Sequence, residues 1–152
     1  MYYVARLRYY LKASAIAARN EGLSVSRRYL DLHGNRMSSA AAGSVVRVQL
    51  TIDTGQTLSY LDVEDPIPAG FEPIDASLKT SRQGLFPAWQ LAATGRDDLT
   101  PYLDHTDLHD NRVSLYAHTL PPGSYEVAPS HASESFFPEV FGRSAGVSFV
   151  VR

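Results

Sequence analysis

A chain of 152 residues is expected to form one domain, residues 1–152, whose core is large enough to fold without staples. Its apolar share of 44%, charged share of 20% and net charge of −2 from fourteen basic and sixteen acidic residues leave no electrostatic case for nucleic acid or an anionic membrane. The chain has no Cys, which excludes disulfides, thiolate metal sites and a Cys nucleophile within it.

Met1 to Arg8 carries charge too early for the apolar core of a signal peptide, and no run is long enough to span a bilayer. The chain as written is expected to be soluble, with any export depending on a larger parent chain. Ala5, Leu7, Tyr9 and Leu11 alternate with Arg6, Arg8 and Tyr10, predicting a first strand. Ala13 to Asn20 has helix formers but a weak stripe and reads as a loop or a single helical turn. Leu23, Val25 and Tyr29 share one face of a second strand, on which Arg27 is the awkward member.

Gly34 to Gly43, rich in Ser and Ala, reads as a connection. Val46, Val48, Leu50 and Ile52 then alternate with Arg47, Gln49 and Thr51, a half-buried strand ending at a turn at Thr54-Gly55. Leu61 and Val63 point inward before Asp65-Pro66, and the Pro should end that strand. A long piece runs from Ile74 to Asp110, with a short helix predicted at Ala76 to Thr80. Val113, Leu115 and Ala117 face in, with Arg112, Ser114 and His118 out. Leu120-Pro121-Pro122-Gly123 is a turn, and Val147, Phe149 and Val151 form the last strand. Short strands at turn-punctuated spacing predict an all-β fold: an antiparallel β-sandwich of immunoglobulin-like type, with at most one or two short helices in loops.

No catalytic residue is assigned. The densest cluster of polar chemistry is Asp104-His105-Thr106-Asp107-Leu108-His109-Asp110. His105 and His109 would share a face only on a helix, and Pro101 before them argues for a turn. A solvated turn is the preferred reading, with a metal-dependent enzyme using His105 and His109 as a lesser alternative. No G-x-S-x-G supports Ser144 as a nucleophile. Asp62 and Glu64 share a strand face and read as solvated; no cofactor is implied. Trp89, the single Trp, reads as an anchor for the long connection.

The most particular stretch is Phe136-Phe137-Pro138-Glu139-Val140-Phe141-Gly142-Arg143-Ser144. Its aromatics either plug one end of the sandwich or form a contact surface, and a guanidinium fork on Arg143 suits the Glu139 carboxylate. With it stand Gly22 to Val25 and Arg27 to Tyr29, Val63-Glu64-Asp65-Pro66-Ile67-Pro68-Ala69-Gly70-Phe71-Glu72-Pro73, Asp104 to Val113, and Leu120 to Tyr125. In that order, these blocks resemble the C-terminal, receptor-binding-like domain of bacterial alpha-2-macroglobulins.

The resemblance implies a macroglobulin-type sandwich within a protease trap, where cleavage of a bait segment exposes a Cys-Gln thioester. It implies a non-catalytic domain that packs on the thioester domain, of the same parent protein or separately encoded, and keeps water from the reactive acyl group. Proteases would be met only indirectly, and the setting would be periplasmic or extracellular. Ser135, Phe136 and Phe137 are the expected interface. Pro138, Glu139, Phe141, Gly142, Arg143, Asp65, Pro66 and Gly70 are the expected structural motif. Two departures stand out. The family's Met-Tyr is replaced by Ser135 and Phe136. A strand expected between Tyr125 and Ala128 is missing, about a dozen residues. The rival reading is a free-standing adhesion or ligand-binding module.

Overall fold

The strictest alternation in the sequence makes the central strand. In the computed structural model, which describes residues 4–7, 10–55, 61–74, 98–99, 102–103 and 112–152, that strand is β4, Val45–Thr54. Val46, Val48, Leu50 and Ile52 are buried on one face, while the intervening residues are half-exposed. In antiparallel register, β4 pairs on one side with β2 (Leu23–Leu30) and on the other with β9 (Arg112–Thr119). β6, Phe71–Pro73, completes this sheet in the order β2-β4-β9-β6.

A second sheet is built from β1 (Arg19–Glu21), β12 (Phe141–Arg143), β11 (His131–Glu134) and β5 (Leu61–Pro66), in that order and antiparallel throughout. The two-residue strands β7 (Asp98–Leu99) and β8 (Tyr102–Leu103) pair with β5. A third sheet joins β10 (Gly123–Val127) antiparallel to β13 (Val147–Val151), with β3 (Ser39–Ala40) parallel to β13. One core spans the three sheets, from Leu23 and Val25 through Leu61, Val63 and Phe71 to Val127, Ala132 and Phe149. Tyr29, Phe71 and Phe149 meet in tilted and edge-to-face pairs, with centroids 4.9 to 5.9 Å apart.

The fold is therefore all-β and mainly antiparallel, as expected. A 3-10 turn at Ala13–Ala15 falls within Ala13 to Asn20, the segment read as a loop or a single helical turn. β5 ends at Pro66, and the segment at Leu120 to Pro122 turns into β10. The predicted first strand is overturned. None of the described residues among 4–12 is in a strand, and Val4, Leu7 and Tyr10 are 84 to 92% exposed. An alternating pattern needs a sheet face to bury against, and this one has none among the described residues. The first strand is instead Arg19–Glu21, exposed at all three residues and held by its backbone to β12. Ser114, expected outward, is buried on the face opposite Ala117. The Ser/Ala connection contributes β3. After β10 the chain passes through Ala128 to Ser130 directly into β11, with no further strand before it. The predicted helix at Ala76 to Thr80 and the anchor Trp89 lie outside the described residues.

Candidate functional site

The stretch singled out in the sequence is a hairpin. β11 and β12 are its arms, and residues 135–140 are its tip. Phe137 carbonyl accepts from Val140 N–H at 2.8 Å, so residues 137–140 form a β-turn with Pro138 at its second position, where a fixed φ is favourable. Glu134 closes the neck: its N–H donates to Val140 and its carbonyl accepts from Phe137. The turn leaves Phe136 69% and Phe137 56% exposed, with Pro138 and Glu139 beside them. These aromatics therefore stand outside the core rather than plugging it. Ser135 Oγ donates to Asp62 Oδ2 at 2.8 Å and ties the tip to β5.

The arms sit differently. β12 crosses β2 so closely that a Cβ at Gly142 would collide with the carbonyl oxygen of Leu23 and stand 3.1 Å from Val25 Cγ2. Glycine is required there by space. Phe141 lies half-buried between the stacked ring of His131 at 5.7 Å and the guanidinium of Arg19 at 5.2 Å. Arg143 does not reach Glu139. It points toward the opposite end of β12, where its Nη2 donates to the Ala17 carbonyl at 3.1 Å.

Beneath the hairpin lies a closed polar seam. Arg27, the charge on an apolar strand face, is buried because Asp65 is buried opposite it. Their side chains are 1% and 3% exposed, and Nη1 meets Oδ1 at 2.7 Å. Ser130 Oγ donates to the same carboxylate oxygen at 2.6 Å, and Arg27 Nη2 donates to the Ala128 carbonyl at 2.7 Å. Burial pushes the Asp65 carboxyl up, while Arg27 and Ser130 pull it back without cancelling the shift. Burial likewise pushes the Tyr29 phenol up. Ser130 and Ser144 bind each other: Ser144 N–H donates to the Ser130 carbonyl, and Ser130 N–H donates to Ser144 Oγ, both at 2.9 Å. Ser144 is 2% exposed and its hydroxyl is engaged with Ser130 and Ala145, which suits a tie and not a nucleophile. Gly70 is also sterically required, since a Cβ there would enter the Tyr125 ring.

Sequence reasoning flagged Arg27 as anomalous and Asp65 as part of a motif, but did not join them. An unpaired arginine on an apolar face calls for a buried carboxylate. Asp65, on the inward face with Leu61 and Val63, was the available signal. Ser130 had none. Among the described residues no group of three His, Asp or Glu is placed to hold a metal, and no helix is long and apolar enough to cross a membrane. His105 and His109 lie outside them.

Comparison with known proteins bears on this geometry. Residues 22–133, which run from the start of β2 into β11, match the family model described as the bacterial alpha-2-macroglobulin MG10 domain. The chain belongs to that family. It is 24% identical, over 168 aligned residues covering 99% of the chain, to an alpha-2-macroglobulin homolog of Nostoc sp., of which it spans 9%. Its fold is shared with native Escherichia coli alpha-2-macroglobulin from domain MG7 to the C-terminus (TM-score 0.68, 22% identity, 89% of this chain and 24% of that one). It is also shared with the E. coli protein activated by porcine elastase (TM-score 0.73, 19% identity, 90% and 14%) and the Salmonella protein reacted with methylamine (0.69, 21%, 90% and 10%). The chain is thus a macroglobulin domain of an alpha-2-macroglobulin-like protein, and it corresponds to a small part of each of these relatives.

Proposed function

We propose that this domain is the non-catalytic C-terminal domain of a protease inhibitor of the alpha-2-macroglobulin type. It docks on the thioester-bearing domain, in the same protein or a separately encoded one, and covers the thioester until a protease cuts the bait segment. The setting is periplasmic or extracellular. The observation that carries the reading is the pair Phe136-Phe137, more than half exposed at the tip of a hairpin whose arms are locked into the sandwich. Adjacent aromatics held out on a rigid support are the composition of an interface core, and a dry apolar cover is what a hydrolysable acyl group needs. The replacement of the family's Met-Tyr by Ser135-Phe136 keeps an aromatic cover without its hydroxyl.

The test mixes the purified chain with the thioester-bearing chain encoded in the same genome and follows both complex formation and methylamine incorporation. The domain is expected to bind and to slow incorporation, and Phe136→Ala/Phe137→Ala to lose both effects. Binding that ignores the double substitution removes the hairpin from the interface. Binding without any slowing leaves docking in place and ends the shielding role.

A further inference from the structure

A second surface, unrelated to the hairpin tip, has the chemistry of a binding site. Where the edge strand β2 meets the start of β13, a solvent-open cleft of about 430 Å³ is lined by Arg27, Arg28 and Arg36 together with Met37, Ser38 and Ser148. None of its lining residues is acidic, on a chain whose net charge is −2. The Arg27 charge is answered by Asp65. Arg28 and Arg36 are exposed and form no ion pair among the described residues.

The backbone beside them is also unfinished. Just before β13, Gly146 N–H donates to the Ile16 carbonyl, and on β13 Val150 N–H donates to the Ser38 carbonyl, both on the edge facing away from β10. Main-chain groups point the same way at every second residue of a strand. Ser148 therefore turns its N–H and C=O to that edge, between those two bonds and ahead of β3, and neither group has a hydrogen-bond partner among the described residues. One open main-chain pair beside two unanswered guanidinium groups is the arrangement that receives an extended segment carrying carboxylates. The segment's backbone pairs with Ser148, and its acidic side chains reach Arg28 and Arg36.

We infer that this cleft is a docking site for an extended acidic peptide, on a face the thioester-directed reading does not use. The test titrates the full chain with a fluorescent peptide alternating Glu and Ser, a second peptide with Gln for Glu, and inorganic phosphate as competitor. The Glu peptide is expected to bind in a salt-sensitive way, at least about tenfold more tightly than the Gln peptide. Arg28→Ala/Arg36→Ala, both at exposed positions, is expected to weaken it by a similar factor while leaving the thermal midpoint unchanged. The Ser148 amide is expected to gain protection from hydrogen exchange in the complex. Equal binding by the double variant, or by the Gln peptide, overturns the proposal. So does displacement by phosphate at concentrations matching the peptide's, because the site would then hold any small anion.

Discussion

The hairpin tip and the seam beneath it obey opposite rules. At the tip, two large apolar rings are each more than half exposed to water. In the seam, an arginine and an aspartate are buried almost completely, and each is answered by hydrogen bonds. Each region is costly in isolation: exposed aromatics lose burial, and buried charges lose hydration. The comparison teaches that rigidity and display are divided between them. The seam fixes β2, β5 and the turn before β11 to one another, and so supports the root of the hairpin from which the tip is held out.

The sharpest way to break this division is to attack the seam. Arg27→Ala leaves the Asp65 carboxyl buried without its partner and is expected to cost about 3–5 kcal/mol in urea unfolding. The paired change Arg27→Met/Asp65→Leu should recover most of that loss. If the single and double variants lose the same amount, the packing of the arginine stem outweighs the pairing of its charge. Next in size is Gly142→Ala. Its added methyl must displace the Leu23 carbonyl, so a loss of about 1–3 kcal/mol is expected. A change below about 0.5 kcal/mol would mean that β12 can lift off β2, and the tip would then not be rigidly supported. The tip itself should be nearly silent: Phe136→Ala/Phe137→Ala is expected to leave unfolding within about 0.5 kcal/mol of the parent while abolishing docking.

The smallest effect lies away from both regions and serves as their control. Asp31 accepts hydrogen bonds from the Asn35 side-chain amide, the Asn35 backbone and the His33 backbone, which hold its carboxyl below the ordinary value. A lowered folded pKa means a contribution present above the ordinary carboxylate value and lost as pH falls through the lowered one. Asp31→Ala should therefore shift stability near neutral pH and converge with the parent at strongly acid pH. NMR titration of the Asp31 carboxyl checks the direction.

Where burial follows a two-residue period, the sequence announces the structure. β4 and the inward residues of β2 and β5 are legible on that ground alone. It is silent where a strand is held by backbone and little else, as at Arg19–Glu21 and Ser39–Ala40, because ladder hydrogen bonds leave no mark on side-chain type. It misleads at Ala5 to Leu11, where the described residues of an apolar alternation find no face to bury against. The site divides the same way. The aromatic loop was visible from composition, but the strand inside it was not. Gly142 is demanded by a neighbour more than a hundred residues distant in sequence, and the pairing of Arg27 with Asp65 spans 38 residues.

The mutual grip of Ser130 and Ser144 also has a mechanical meaning. It clamps the entrance of β11 to the exit of β12, at the end of the hairpin far from Phe136. With both roots clamped and β11 laddered to β5 through four residue pairs, a pull on the tip along the strands loads those ladder bonds together, in shear. A pull across the sheet opens them one after another, as a zip. The hairpin is thus a handle that is stiff along its length and weak to sideways peeling, and the direction of an applied force decides which behaviour it shows.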